Sequence, residues 1–326
     1  MADSPDQKRL SLFVTADLPR EVMNDLRRDC DVEFAREQAP DVPVDIQLQS
    51  TSRPIALISV NEPLDAVTIG KLPPTINIIA TYSVGHEHID LAAAKRRGLV
   101  VFNLPDVLTE AVAEVGMFLL IGAARRATES IALIRSGTWP GWSATQLNGV
   151  ELWQKQLGIL GMGRIGRAIA ARARSFGMTI HYHNRSRLPE NEEVGARFHA
   201  DARTMFAGID ALVIAAPSND ATRGYLNAER IRWLKRGALV VNVARGNLVV
   251  DEDLIAALRT RHVLGVGLDV FNHEPKLDPR YFDLPNVFML PHIGSSTIET
   301  RRRMAQGLLH SLRQWLAGEA PPNRLV

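Results

Sequence analysis

Three glycines, Gly161, Gly163 and Gly166, sit in the run GILGMGRIGRAIA, directly after the apolar segment Leu157–Leu160 and at the start of a helical pattern. This arrangement leaves a chain few choices. A buried strand must turn tightly and enter a helix at once, which is how a βαβ unit of a parallel sheet begins. Gly161 permits the turn, Gly166 lets helix and strand pack closely, and Gly163 lets an anion approach the backbone. Met162, Arg164 and Ile165 complete the loop and the first helical turn. The result is a cradle at a helix N-terminus that suits a pyrophosphate, and hence a dinucleotide.

The same unit carries a cofactor signature at the end of its second strand. An NAD site places an acidic residue on the ribose hydroxyls roughly 20 residues beyond the glycines. Here the strand Thr179–Tyr182 runs into HYHNRSRLP, with Asn184 where the carboxylate would stand and Arg185, Ser186 and Arg187 after it. Two guanidinium groups and a hydroxyl offer charge-assisted hydrogen bonds to a 2′-phosphate, and no carboxylate repels it. The expectation is NADPH in preference to NADH, with NADH possible.

Around this unit, short β-branched runs alternate with helical patterns through most of the chain, as in parallel α/β sheets. Leu157–Leu160, Thr179–Tyr182, Ala211–Ala215, Leu239–Asn242 and Leu264–Leu268 read as one doubly wound sheet. Leu10–Thr15, Ile55–Ser59, Ile78–Tyr82 and Val100–Asn103 read as strands of an earlier block, with helices over Pro19–Arg28 and Asp90–Arg97. The helical, Ala/Val/Leu-rich stretch Asn103–Arg135 suits the connection between blocks, and the helix Thr297–Leu316 is placed back with the first. The expected fold is therefore two Rossmann-like α/β domains. Residues 1–102 and 293–326 form a discontinuous substrate domain, and 103–292 the dinucleotide-binding domain. Loops are expected at Pro40–Pro43 and Pro321–Pro322.

Composition narrows the function. A chain of 326 residues exceeds what one core usually serves. Thirty-eight basic against 36 acidic side chains leave +2 without a long basic run, so nucleic acid is not the expected partner. The single cysteine, Cys30, excludes an intramolecular disulfide framework and fits a reducing compartment, with the cytoplasm as the expected location. The N-terminal MADSPDQKRLSLF lacks the apolar core of a secretory signal. Val112–Ala124 is too short for a span and is interrupted by Glu114, so it reads as a buried helix, and no membrane partner is expected.

Three segments just beyond predicted strands supply chemistry: VNVARGNLVVDEDL with Arg245, GLDVFNHEP with Glu274, and LPHIGSST with His292. In an open parallel sheet the carboxyl ends of strands converge on one crevice, so these distant residues can meet. They suit reduction of the C2 carbonyl of a 2-keto acid. Arg245 anchors the carboxylate and ketone oxygen through its planar fork, and His292 donates the proton. Glu274 holds the imidazolium and raises its pKa. Each residue alone has a plainer role as strand end, loop cap or satisfied core histidine. No metal is expected, although His181 and His183 share a strand face and His86 and His88 are similarly spaced.

Taken in order, ATYSVGHEHIDL, VLTEAVAEVGMFLL, LGILGMGRIG, NRSR, VNVARG, GLDVF, HEP and PHIGSST resemble the D-isomer-specific 2-hydroxyacid dehydrogenase family over nearly the whole chain. The likeness is greatest to its NADPH-dependent glyoxylate and hydroxypyruvate reductases. The resemblance implies that amides around Val84 and Gly85 hold the substrate carboxylate and that Thr109 lies near the cofactor. It implies that Asp269 binds the nicotinamide amide, with Val243 and Ala244 beside it, and that Pro217 and Thr222 line the adenosine side. It also implies a homodimer through the cofactor domain, in which Trp142 of SGTWPGW reaches the partner's substrate site or, as is open to Trp139 too, packs against the dimer interface. Aromatic 2-keto acids are the alternative substrates. A nicotinamide-sensing corepressor is the alternative of another class, disfavoured by the intact Arg245, Glu274 and His292.

Overall fold

The computed structural model describes residues 9–15, 18–34, 54–60 and 62–326. The loop expected at Pro40–Pro43 lies outside them, as does the chain before Arg9. The described residues divide into two compact units: one reaches Leu108 and resumes with Ser295–Val326, and the other is Thr109–Gly294.

The first unit contains β1 (Leu10–Val14), α1 (Arg20–Asp29), β2 (Cys30–Phe34), β3 (Ala56–Ser59), α2 (Ala66–Lys71), β4 (Ile78–Thr81), α3 (Leu91–Arg96) and β5 (Val100–Phe102). Its five strands are all parallel, in the order β2-β1-β3-β4-β5. Every residue of β3 and β4 is buried, as expected of parallel strands covered on both faces. The sequence reading misses β2 because Cys-Asp-Val-Glu-Phe carries two acids, which only an edge strand accommodates. The helix α11 (Ile298–Leu316) belongs to this unit. Its N-cap Thr297 accepts from the Thr300 amide, Arg313 pairs with Asp29 at 3.1 Å, and the backbone carbonyl of Arg301 accepts from the Tyr82 hydroxyl.

The second unit begins with α4 (Thr109–Ala124) and α5 (Ala127–Arg135), separated at Arg126, whose φ is +55°. Of the stretch Asn103–Arg135 read as a connection, the part from Thr109 on belongs to this unit and Asn103–Leu108 to the first. Most of α4 is buried, and its exposed Glu110 pairs with Arg172 at 2.7 Å. By contrast, α5 buries none of its residues. There follow β6 (Gln156–Leu160), α6 (Arg164–Ser175), β7 (Thr179–His183), α7 (Glu190–Glu193), β8 (Arg197–Phe198), α8 (Ala202–Gly208), β9 (Ala211–Ile214), α9 (Ala228–Trp233), β10 (Ala238–Asn242), α10 (Asp251–Arg259), β11 (Val263–Leu268) and β12 (Val287–Met289). The sheet has seven parallel strands in the order β12-β11-β10-β9-β6-β7-β8, where five are read from sequence. The two additional strands, β8 and β12, are the edges and only two and three residues long. Among the described residues no helix is long and apolar enough to cross a membrane.

The edge of β5 is closed by the chain's last residues. Arg324 bridges Phe102 in antiparallel sense, and the Leu325 amide donates to Val101 O at 2.7 Å. Asn323 fixes this segment: its Nδ2 donates to Asn103 O at 2.6 Å, and its Oδ1 accepts from Ser311 Oγ at 3.0 Å. Asn323→Ala strands two part-buried partners, a loss of about 1–3 kcal/mol. Thermal unfolding is expected to shift down by several degrees, and an unchanged Tm would show that water replaces the amide without cost.

Candidate active site

The order of the second sheet reverses at β6, whose neighbours β9 and β7 lead away in opposite directions. A crevice opens at the carboxyl end of a parallel sheet where its order reverses, and the glycine loop begins there. Gly161 has φ +96°, and a Cβ on it would lie 2.5 Å from Ala216 N, so both conformation and space require glycine. A Cβ on Gly166 would come 2.3 Å from Gly161 O, which fixes how closely α6 approaches the loop. At Gly163, the N-cap of α6, a Cβ would meet nothing within 4 Å. The chain thus leaves open space where a pyrophosphate would meet first-turn amides, and the residues present fit a dinucleotide. Met162 is buried, Ile165 half-buried and Arg164 exposed.

Next to the loop, Asn184 Oδ1 accepts from the Met162 amide at 2.7 Å, tying the end of β7 to the glycine cradle. The two arginines that follow differ. Arg187 is committed to Glu193, with Nε to Oε1 at 2.8 Å and Nη2 to Oε2 at 2.9 Å. Arg185 and Ser186 are exposed, and Arg185 makes no ion pair among the described residues. Of the two arginines expected to offer guanidinium groups, Arg187 thus also supplies the counter-charge that the buried Glu193 carboxylate needs.

The other sequence-predicted residues of this unit follow successive strands. After β9, Thr222 Oγ1 donates to Pro217 O at 2.7 Å, closing the loop that holds both. After β10, Asn242 Oδ1 accepts from the Ala244 amide at 3.0 Å and its Nδ2 donates to Arg245 O at 2.8 Å, shaping the turn of Val243, Ala244 and Arg245. After β11, Asp269 is 2% exposed and accepts from the Ile293 and Gly294 amides, each at 2.8 Å. Burial pushes its carboxyl up from the ordinary value, against the pull of the Ile293 amide, His292 and the Gly294 amide. Asp269 thereby grips the chain immediately after His292. Thr109 is the first residue of α4.

After β12 comes His292, in left-handed conformation at φ +54°. Its Nδ1 lies 2.7 Å from Glu274 Oε2, and Glu274 Oε1 accepts from the Phe271 amide at 2.7 Å. Burial would push the Glu274 carboxyl up. The His292 hydrogen bond, the Phe271 amide and the charges of His292 and Arg245 outweigh it and hold the group below the ordinary carboxylate range. An ionised carboxylate only accepts, so Nδ1 carries a proton and Nε2 is the nitrogen left for chemistry.

Gly246 joins the two halves of this site. A Cβ there would fall 1.9 Å from the Phe271 carbonyl carbon, so the loop bearing Arg245 lies backbone to backbone against the loop bearing Glu274. Asn272 Nδ2 and Tyr281 Oη donate to the two oxygens of Asp251 at 2.9 and 2.8 Å, bracing that second loop from beneath. Sequence reasoning misses Asn242, Gly246 and Glu193. A polar residue ending the wholly buried β10 was the available signal for Asn242.

Val84 and Gly85 belong to the first unit, on the loop after β4. Asn103 Nδ2 donates to Val84 O at 2.9 Å, and Ser83 Oγ to Gly85 O. Trp142 lies beyond α5 and is 86% exposed, and Trp139 is also exposed. His181 is bound to His199 and Gln156, each at 2.8 Å, and burial with the neighbouring His199 takes its pKa down to about 4. His88 Nε2 lies 3.2 Å from Ser59 Oγ. Among the described residues no group of three or more His, Cys, Asp or Glu is arranged to hold a metal ion.

The family model for D-isomer specific 2-hydroxyacid dehydrogenase, NAD binding domain, matches residues 117–294. The chain is 40% identical to the glycerate dehydrogenase of Hyphomicrobium methylovorum over 297 residues, covering 90% of this chain and 92% of that one. It is 38% identical to the glyoxylate reductase of Thermococcus kodakarensis over 320 residues, covering 96% and 95%. The crystal structure of an NADPH-dependent glyoxylate/hydroxypyruvate reductase from Sinorhizobium meliloti, in complex with NADP and malonate, matches with a TM-score of 0.84 at 29% identity, covering 98% and 97%.

Gly246→Ala is expected to destabilise the protein by about 1–3 kcal/mol through overpacking, read by chemical denaturation. A crystal structure of the variant should show the Phe271–Glu274 loop displaced and the contact to His292 Nδ1 lengthened. Retention of the 2.7 Å contact would mean that the two loops are not mechanically coupled.

Proposed function

The chain belongs to the D-isomer specific 2-hydroxyacid dehydrogenase family, and we propose that it reduces small 2-keto acids, hydroxypyruvate or glyoxylate, to D-2-hydroxy acids, with NADPH preferred over NADH. The observation that carries this reading is the pairing of His292 with Glu274 beside the Arg245 turn, at the same carboxyl edge as the glycine cradle. The names and bound ligands of the relatives support the substrate class. The exposed Arg185 and Ser186, with no acid at Asn184, support the cofactor choice.

The nicotinamide cofactor, when bound, supplies the hydride. Gly161, Met162, Gly163, Arg164 and Ile165 hold its pyrophosphate, and Pro217 and Thr222 border its adenosine. Val243, Ala244 and Asp269 border the nicotinamide end, and Thr109 lies near the cofactor. Arg245 anchors the substrate carboxylate and ketone oxygen through its fork. His292 donates the Nε2 proton to the C2 oxygen as charge develops there, and Glu274 stabilises the imidazolium before transfer and orients the ring. A general acid of this kind contributes roughly 10²–10⁴ in rate.

A homodimer through the second unit accounts for its bare apolar surface. Phe118, Ile131, Ile134, Trp139 and Trp142 are exposed, although Trp and Phe are residues that interfaces favour. Trp142 is then available to a partner's substrate site. The cytoplasm remains the proposed location.

Initial rates with NADPH and NADH against hydroxypyruvate, glyoxylate and phenylpyruvate test the reading. Fast NADPH turnover of the two small acids is the expected result. A winning phenylpyruvate would change the substrate assignment to aromatic keto acids, and silence throughout would favour a nicotinamide-sensing binding protein. His292→Gln should lower kcat by roughly 10²–10⁴ while NADPH still binds, as measured by fluorescence titration. Sedimentation should give a dimer, and Ile131→Glu with Ile134→Glu should convert it to a monomer. A wild-type monomer would remove the proposed role of Trp142.

A further inference from the structure

We propose that Glu193 is a positioning residue for cofactor selection: by gripping Arg187 it holds the turn from Asn184 to Leu188 so that Arg185 and Ser186, rather than Arg187, meet the 2′-phosphate. The inference rests on the NADPH reading above and assigns the work within it.

The Glu193 side chain is 6% exposed and that of Arg187 64%, so the pair runs from the interior to the surface. Both carboxylate oxygens are occupied by one edge of the guanidinium fork. Tyr182, wholly buried in β7, donates its hydroxyl to Glu193 Oε1 at 2.5 Å and accepts the Leu188 amide at 3.0 Å. Arg187 and the Tyr182 hydroxyl hold the Glu193 carboxyl down at about 2, so it is charged at any working pH. If Arg187 swung to the cofactor, a buried carboxylate would lose its counter-charge, the costly way to break such a pair.

The turn is also tied elsewhere. Its first residue, Asn184, binds the Met162 amide of the glycine cradle. The carbonyl of Glu193 accepts from Arg174 Nη2 at 3.0 Å, which fastens α7 to α6. Between the two anchors only Arg185 and Ser186 are left without a side-chain partner among the described residues. Arg187 and Glu193 cancel in charge, so Arg185 alone adds a net positive charge to the turn. Selection then depends on one guanidinium, and the Glu193 lock keeps the turn that carries it in place.

The readout is the ratio of KM for NADPH to KM for NADH, compared with the wild type. Arg185→Met should raise this ratio about 100-fold, the upper range for losing a charge-assisted contact. Glu193→Gln and Arg187→Met should each raise it by about 10-fold, and the double variant should go no further, since both break one lock. If Arg187→Met raises the ratio while Glu193→Gln leaves or lowers it, Arg187 reads the phosphate itself and the proposal fails. Equal shifts in KM for both cofactors would also overturn it, by reducing the pair to a structural one. Should Glu193→Gln not fold, Tyr182→Phe carries the same expectation, because it removes only the hydroxyl between Glu193 and Leu188. A wild type that prefers NADH defeats the NADPH reading alone, and the shift in ratio across the variants still decides the role of Glu193.

Discussion

The second unit depends on where β6 sits in its sheet. With β9 on one side and β7 on the other, the connections leaving β6 cannot cover its carboxyl end, and a crevice stays open there. Gly161 turns in that crevice against Ala216, which follows β9, while Asn184, which follows β7, fastens to Met162. The same reversal that leaves room for a dinucleotide therefore brings the segments after β9 and β7 to the glycine loop. Parallel pairing extends the principle, since every strand from β7 to β12 ends on this side and delivers its following loop to the same edge.

Loops so delivered would be soft without further bracing, and the protein braces them with backbone contacts and buried polar side chains. Gly246 lies against Phe271 and Asn272, Asp251 binds Asn272 and Tyr281, and Asp269 grips the amides after His292. The consequence is chemical. His292 has a left-handed backbone that few side chains adopt, and the Asp269 grip on the next two residues helps hold it there. Its ring is aimed by Glu274, whose other oxygen is held by the Phe271 amide. In the proposed role of proton donor, an imidazole held this way would meet its substrate already oriented, which is where much of the rate advantage of a positioned acid arises.

Much of this was legible in the sequence because it depends on local rules. Glycine spacing reports a backbone conformation, β-branched runs report buried parallel strands, and residues just past strand ends report the carboxyl edge. The third rule is what brings out Arg245, Glu274 and His292 as candidates. The rules miss the edge strands, because β2, β8 and β12 are short or polar and owe their existence to a neighbour rather than to their own pattern. Gly246 was invisible for the same reason. Its necessity is a contact with Phe271, 25 positions away, and no local rule reaches that far.

The turn after β7 shows the limit most clearly. Read along the chain, Asn184, Arg185, Ser186 and Arg187 form one basic cluster, and two arginines look equivalent. Folding makes them unequal, since α7 brings a buried carboxylate against the second arginine and leaves the first alone. The second arginine holds that carboxylate through Nε and Nη2, and releasing it would expose an uncompensated charge in the interior. Charge counted along a sequence therefore overstates what a site can offer a ligand, and the part that counts is the charge the interior does not already use.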